Sequence, residues 1–277
     1  MDELRREARA AWAVARKELR ITLRYRLNAV NRVVQPIYQV LIPGILLGAT
    51  FAVGGEAVGL AESAGTTDIV GYLFLGMLAL TLASAGFWDI AFSVKTELDS
   101  GTLEPAWLTP TRRETFVIGQ TLAGMALATV TTAVLLVVGV LVFGASLVPQ
   151  LAIAVPVLAL TSVGVLGIGY LVAAIVLRMR DANFFVDAAD FLFVALSGAA
   201  FPIIVLPDLV RWVAYLLPTT HALDLVRVAV LDTRPLLPAS VEWVMLAVTS
   251  LVLVWIGRRT WLATEHRMRI RGTLGQH

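Results

Sequence analysis

Three aspartates, Asp89, Asp187 and Asp190, stand inside or beside long apolar stretches of the chain. A carboxylate in hydrocarbon is costly unless it is paired, protonated or in reach of water, so such residues mark ion pairs or a proton or cation path. Asp187 and Asp190 lie one helical turn apart, shortly after Arg178 and Arg180. An interfacial salt-bridge cluster is the simpler reading; a relay serving an ion-coupled secondary transporter or channel is the sharper one. Composition removes other chemistries. The chain has no cysteine, which excludes disulfides, thiolate metal sites and cysteine nucleophiles. His221, His266 and His277 are too scattered for a ligand set. Lys17 and Lys95 are the only lysines, and neither belongs to the G-x-x-x-x-G-K-[S/T] arrangement of a phosphate-binding loop. No cofactor or metal is expected in this chain, and any ATP and Mg must be held by another polypeptide. "ALSG" at 195–198 lacks the first glycine of a G-x-S-G elbow, and His221 falls in a different loop, which leaves an intramembrane hydrolase without its parts.

The elements that position these residues are membrane spans. The 277 residues are 58% hydrophobic and 15% charged, with a mean hydropathy of +0.81, outside the usage of soluble domains. A hydrocarbon core about 30 Å thick needs roughly 20 helical residues. Six runs qualify, at about 33–53, 69–94, 116–143, 151–177, 186–206 and 241–256, and none alternates as an outer-membrane strand would. The first follows about thirty residues of strongly charged sequence without a convincing cleavage site, so no signal peptide is expected. Nineteen of the twenty-two Lys and Arg fall in residues 1–32, the 95–114 loop, the Arg178–Arg180 loop and the tail from Arg258. The positive-inside rule places all four in the cytoplasm, with both termini. The fold class is thus an all-α integral membrane protein of six transmembrane helices in the cell membrane. Its parts are an interface helix at 1–32, a transmembrane domain at 33–258 and a basic cytoplasmic tail at 259–277. Lipid is a partner throughout, and no nucleic acid is expected.

Three further segments carry specific signals. In residues 1–32, Leu4, Ala8, Ala11, Trp12, Ala15 and Leu19 recur at helical spacing opposite a basic face, the pattern of an amphipathic interfacial helix. "PDLVRWVAYLLP" at 207–218 reaches only about 18 Å as a helix and is bounded by prolines, so it reads as a short re-entrant or interfacial helix between spans 5 and 6. "KTELDSGTLEPAWLTPTRRE" at 95–114 interrupts the apolar sequence between spans 2 and 3. Asp99 to Gly101 is turn chemistry, and Thr102 can cap a short helix with Glu104 and Pro105 in its first turn. Leu103, Trp107 and Leu108 then share a face with no lipid assigned to it, which suits a partner's groove. Thr111 and Glu114 form a capping box before span 3, with Pro110 just outside. The glycines of "GILLG" at 44–48 and "GVLGIGY" at 164–170 read as helix-packing surfaces, within the chain or at a dimer interface.

Two of these stretches carry a resemblance. "ELDSGTLEPAWLTPTRRETFVIGQ" is similar to the segment between the second and third spans of ABC-2 type transporter permeases, in Glu97, Gly101, Thr102, Leu103, Glu104, Thr109, Pro110, Arg112 and Arg113. "LSGAAFPIIVLPDLVRWVAYLLPTTHALDLVR" resembles the family's later stretch, in Ser197, Gly198, Phe201, Pro202, Leu206, Pro207, Pro218, Thr219 and Arg227. The resemblance implies a homodimer that binds two cytoplasmic ATP-binding subunits. It implies that 95–114 supplies a coupling helix that seats in a groove on the ATP-binding subunit, which agrees with the ridge of Leu103, Trp107 and Leu108. It also implies outward movement of a drug, lipid or glycan by alternating access.

Overall fold

The computed structural model describes residues 2–38, 42–43, 46, 58–101, 111–112, 114–143, 151–179 and 183–271. Within these, the regular elements are helices: α1 (Asp2–Arg24), α2 (Arg26–Pro36), α3 (Val58–Ala64), α4 (Ile69–Ser84), α5 (Ile90–Asp99), α6 (Glu114–Phe143), α7 (Leu151–Arg178), α8 (Asn183–Leu196), α9 (Asp208–Ala214), α10 (Pro218–Leu231) and α11 (Ala239–Arg271). A π-helical turn, Ala85–Asp89, joins α4 to α5. Four helical runs are long and apolar enough to cross a membrane: Ile69–Glu97, Glu114–Gly139, Ala152–Arg178 and Ala239–Met268. The pair α9 and α10, bent by 87°, makes a fifth if it counts as one span. These spans match the expected runs at 69–94, 116–143, 151–177 and 241–256. The run at 33–53 falls largely outside the described residues.

The expected run at 186–206 behaves differently. Helix α8 stops at Leu196 after 14 residues, about 21 Å, and a turn with Gly198 at φ +77° follows. A 3-10 turn, Ile203–Val205, leads through Pro207 into α9. Average hydropathy continues smoothly across this break, because the turn is itself built of Ala, Phe and Ile. The proline-bounded segment at 207–218 does contain a short helix, α9, but a second one, α10, follows directly where the sequence suggested only a loop. At the other end, α11 runs without interruption through Arg258 to Arg271, so most of the basic tail is the end of a helix.

Glycine sets how the long helices meet. A Cβ at Gly167 of α7 would stand 2.6 Å from the backbone of Leu253 and Val254 in α11, one at Gly164 2.8 Å from Pro218, and one at Gly257 would overlap the Gly167 carbonyl. The glycine series of α7 is therefore consumed inside one chain, which answers the dimer-interface alternative for that motif; Gly44 and Gly48 lie outside the described residues. Below this seam Ile90, Val94, Val117, Tyr170, Leu177 and Trp261 pack as one buried cluster. Phe74, Met77, Leu135, Ala199 and Leu223 form another nearer the opposite end. Helix α1 lies against α6 by its small residues: Ala11 and Ala15 are buried, and Gly119 lets α6 approach the Ala11 carbonyl and Val14. Trp12, 60% exposed, and Leu4 point away from the bundle.

Substitution Gly257→Val inserts atoms where backbone stands, and overpacking of this kind costs about 1–3 kcal/mol. The detergent-solubilised variant should unfold at a clearly lower temperature than wild type. Gly59→Ala, whose Cβ meets nothing within 4 Å, should leave the midpoint unchanged.

Candidate functional site

Two polar constructions stand at opposite ends of the bundle. The first surrounds the broken helix. Where α8 ends, its last carbonyls have lost their i+4 donors and, where buried, need other partners from the protein. Ser197 begins the repair: its hydroxyl donates to the Val194 carbonyl at 3.0 Å and accepts from the Ala199 N–H at 3.3 Å. Gly198 supplies the left-handed residue, and Gly76 of α4 leaves room for the Ala199 carbonyl, which any Cβ there would overlap. Arg227 of α10 then closes the unit. Its guanidinium donates to the carbonyls of Gly198 (2.7 Å), Ala199 (2.9 Å) and Tyr72 (3.0 Å), and lies 3.3 Å from the centre of the Tyr72 ring. Arg227 is only 5% exposed, and among the described residues it has no ion-pair partner. Carbonyl dipoles and a ring face take the place of a counter-ion.

A second buried contact holds the same helix. His221 Nδ1 lies 2.6 Å from a Glu242 carboxylate oxygen of α11, and Nε2 2.8 Å from the Tyr215 carbonyl, with both side chains fully buried. The carbonyl only accepts, so Nε2 donates, and the remaining proton lies between Nδ1 and Glu242. Asp224, between His221 and Arg227, accepts the Leu236 N–H at 3.1 Å and ties down the loop after α10. Pro218 starts α10 as its first residue and Pro202 precedes the 3-10 turn. The Phe201 carbonyl lies 3.7 Å from where a Gly198 Cβ would stand, and the Leu206 carbonyl accepts from Arg211 at 2.9 Å. Of the second motif, Ser197, Gly198, Pro202 and Arg227 line one small pocket, with Arg227 and the 197–199 turn in direct contact. His221 and Glu242 were missed by sequence reasoning, because 21 positions separate them and no local spacing links them.

The second construction is at the end carrying the chain's basic residues. Of the 95–114 stretch, Thr102, Leu103, Glu104, Pro105, Trp107, Leu108, Thr109, Pro110 and Arg113 lie outside the described residues. Both flanks are described, and both are tied to α1. Glu97 pairs with Lys17. The Arg112 N–H donates to Glu7 at 3.1 Å, the Arg112 guanidinium to Glu3 at 3.0 Å, and the Thr115 hydroxyl to Glu7. The Thr115 hydrogen bond, more than the Arg112 N–H and nearby charge, holds the Glu7 carboxyl below its ordinary range against a smaller opposing effect of burial. Gly101 has φ +67°, as a turn requires, and nothing among the described residues lies near its Cβ position. Glu114 was expected as part of a capping box; both of its oxygens are engaged by Arg258 of α11 at 3.0 Å, a cross-helix use that local spacing does not reveal.

Two of the aspartates find partners that the sequence reading did not name. Asp89, in the π-helical turn, holds Arg32 of α2 in a two-pronged pair at 2.6 and 3.0 Å. Asp190 accepts the Trp88 indole N–H at 2.9 Å. Arg178 pairs with neither Asp187 nor Asp190 among the described residues, so the proposed cluster with it is not formed; Arg180 lies outside them. Among the described residues no group of three His, Asp or Glu side chains is placed to hold a metal ion.

The family model for the ABC-2 type transporter matches residues 9–231, from within α1 to the last residue of α10. The chain belongs to the ABC-2 type transporter family. It is also similar to nodulation protein J of Sinorhizobium fredii (strain NBRC 101917 / NGR234), with 30% identity over 186 residues, 65% of this chain and 70% of that protein. This chain is a multi-pass membrane protein and the permease subunit of an ABC-2 type transporter, a non-catalytic membrane domain whose ATPase is separate. Within the permease, the matched region contains most of both constructions; Glu3 and Glu7 at the start of α1, Leu236 after α10, and Glu242 and Arg258 on α11 lie outside it.

Replacing Arg227 by Gln should remove more than one hydrogen bond to a charged group, each worth roughly 1.5–3 kcal/mol. A marked fall in thermal midpoint and in yield of monodisperse protein is expected. Arg227→Lys should fall similarly, since one ammonium lacks the planar fork that spans three carbonyls; stability equal to wild type in either variant would show the clamp to be dispensable.

Proposed function

We propose that this ABC-2 permease works as a homodimer with two copies of an ATP-binding subunit, which carries ATP and Mg, and exports an amphipathic or lipid-linked cargo, a drug, lipid or glycan. Each protomer crosses the cell membrane six times with both termini in the cytoplasm, and ATPase-coupled alternating access moves the cargo outward. The observation that carries this reading is the family match across α1 to α10, joined to the anchoring of both flanks of 102–110 on α1. A docking helix must transmit force, and a loop tied at Glu97 and at Arg112 to one surface helix moves with it. Leu103, Trp107 and Leu108 supply the apolar side of that dock, and Glu104, Pro105 and Thr102 its first turn. Six crossings are supported by the four long helices, the apolar run at 33–53, and α8 with its broken continuation. In the ion-coupled alternative Asp89, Asp187 and Asp190 would serve as carriers. Arg32 already neutralises Asp89, and Asp190 is occupied by Trp88, which favours the ATP-driven reading.

Copurification tests the dock. An ATPase partner that binds the wild-type permease should be lost when Glu104→Ala and Trp107→Ala are combined; unchanged binding would remove the coupling role of this stretch. In the assembled transporter, Asp187→Asn with Asp190→Asn should leave transport within about twofold of wild type, since Asn still accepts the Trp88 N–H. Loss of transport with normal assembly and ATPase activity would revive the carboxylate relay.

A further inference from the structure

The apolar stripe of α1 is divided between the protein and the surface. Glu7, Ala11, Ala15, Glu18 and Thr22, spaced by three and four residues, form the seam turned to the bundle. Ala11, Ala15 and Thr22 are buried there, and Glu7 holds the Arg112 N–H and the Thr115 hydroxyl. The rest of the stripe is left over: on the next arc of the helix Trp12 and Leu23 are exposed and Leu19 is half-buried. Arg5, Arg9, Arg16 and Arg20 share that outward side, Arg9 and Arg16 standing one helical turn before and after Trp12 and the other two a further turn away. All four are exposed, and among the described residues none has an acidic partner; Arg9 only donates to the Arg5 carbonyl, at 3.3 Å. The helix has thus sorted its charges, with Glu3 and Glu7 spent on Arg112 and Thr115 and the arginines turned away.

Both ends of α1 are held where apolar helices begin. Glu7 meets Arg112 and Thr115 at the first turn of α6, and the Ala11 carbonyl lies 2.7 Å from where a Gly119 Cβ would stand. At the other end Tyr25 alone separates α1 from α2, which leads into the apolar run at 33–53. The helix, about 34 Å long, therefore runs along the level at which the spans leave the hydrocarbon. Its exposed apolar row continues past Leu23 through Leu27, Val30 and Val34 towards that run. An indole beside arginines suits this level, where the ring sits among headgroups and the long arginine stems lie on apolar surface with their guanidiniums at the phosphates. The arginines are spread over about 22 Å of helix, which matches a surface of repeated phosphates better than one groove on a protein.

We infer that the outward side of α1 is a binding surface for anionic phospholipid headgroups: Trp12, Leu19 and Leu23 enter the boundary between headgroups and acyl chains, and Arg5, Arg9, Arg16 and Arg20 take the phosphates. The surface belongs to the permease alone and requires no ATPase. Because the chain has no cysteine, Ala13→Cys, at an exposed position beside these arginines, carries a single NBD fluorophore. The full-length permease is reconstituted in phosphatidylcholine nanodiscs with a small, equal mole fraction of either phosphatidylglycerol or phosphatidylcholine bearing a doxyl quencher high on one acyl chain. Both lipids should quench, since α1 lies on the bilayer, and the phosphatidylglycerol form should quench about fivefold more efficiently at low salt, the effect of about one well-placed arginine at an anionic surface. The preference should fade in about 0.5 M salt. Arg→Gln at all four positions should remove it while quenching by phosphatidylcholine persists, and Arg→Lys at the same positions should keep it, because an ammonium still serves a phosphate as a point charge. Equal quenching by the two lipids in the wild type, a preference that survives Arg→Gln, a loss that Lys does not restore, or no quenching by either lipid would each overturn the inference.

Discussion

The structure depends on how the helical backbone breaks after α8. Buried N–H and C=O groups need partners from the protein, yet α8 ends at Leu196 and the chain continues through two short helices. Arg227 makes this possible. One guanidinium, buried and held by three carbonyls and the face of Tyr72, satisfies the turn and fastens α10 to α4 at the same time. Remove that fork and the carbonyls of Gly198, Ala199 and Tyr72 lose their donor, and α10 loses its fastening to α4. The surrounding residues follow from it: Gly198 for the turn, Gly76 for close approach, and the prolines that frame each short segment. His221 and Glu242 repeat the principle on the other side of α10, binding it to α11.

At the opposite end the polar contacts are more exposed and join elements distant in sequence. Lys17 with Glu97, Glu7 with Arg112 and Thr115, Arg32 with Asp89, and Glu114 with Arg258 connect α1, α2, α5, α6 and α11. Exposed ion pairs contribute little stability singly, and their value here is geometric, because they fix the N-terminal helix against both flanks of the loop at 102–110. The π-helical turn at Ala85–Asp89 belongs to the same set. Its extra residue per turn places Trp88 towards α8 and Asp89 towards α2, and such insertions are common where a helix serves a function. Rigid glycine packing of α7 on α11 then connects this end to the clamped end.

Much of this was legible in the sequence, and the gaps have physical causes. Hydropathy locates long helices because burying twenty apolar residues in lipid outweighs local detail, so the runs at 69–94, 116–143, 151–177 and 241–256 were read correctly. The break at 197–201 was not, since Ala199, Phe201 and Ile203 are as apolar as a helix that continues. The motif residues Ser197, Gly198 and Arg227 were visible as types, but not that one would bind the carbonyls of the other; a hydrogen bond spanning 28 residues leaves no periodic trace. The same holds for Asp89, whose partner Arg32 lies 57 positions earlier, and for Glu242, which looks like an ordinary loop charge. Arg178 stands shortly before Asp187 and Asp190 in sequence yet pairs with neither among the described residues, since closeness along the chain does not fix contact across a helix end.

The central claim is that 95–114 faces the cytoplasm and is covered there by an ATPase. Because the chain has no cysteine, Ala106→Cys gives a single reporter beside the docking residues, and its labelling by a membrane-impermeant maleimide is the most direct measurement. The account predicts no labelling in intact cells, ready labelling in inside-out vesicles stripped of the ATPase, and protection once the ATPase is added back. Labelling from outside intact cells, or labelling that the bound ATPase leaves unchanged, would contradict it.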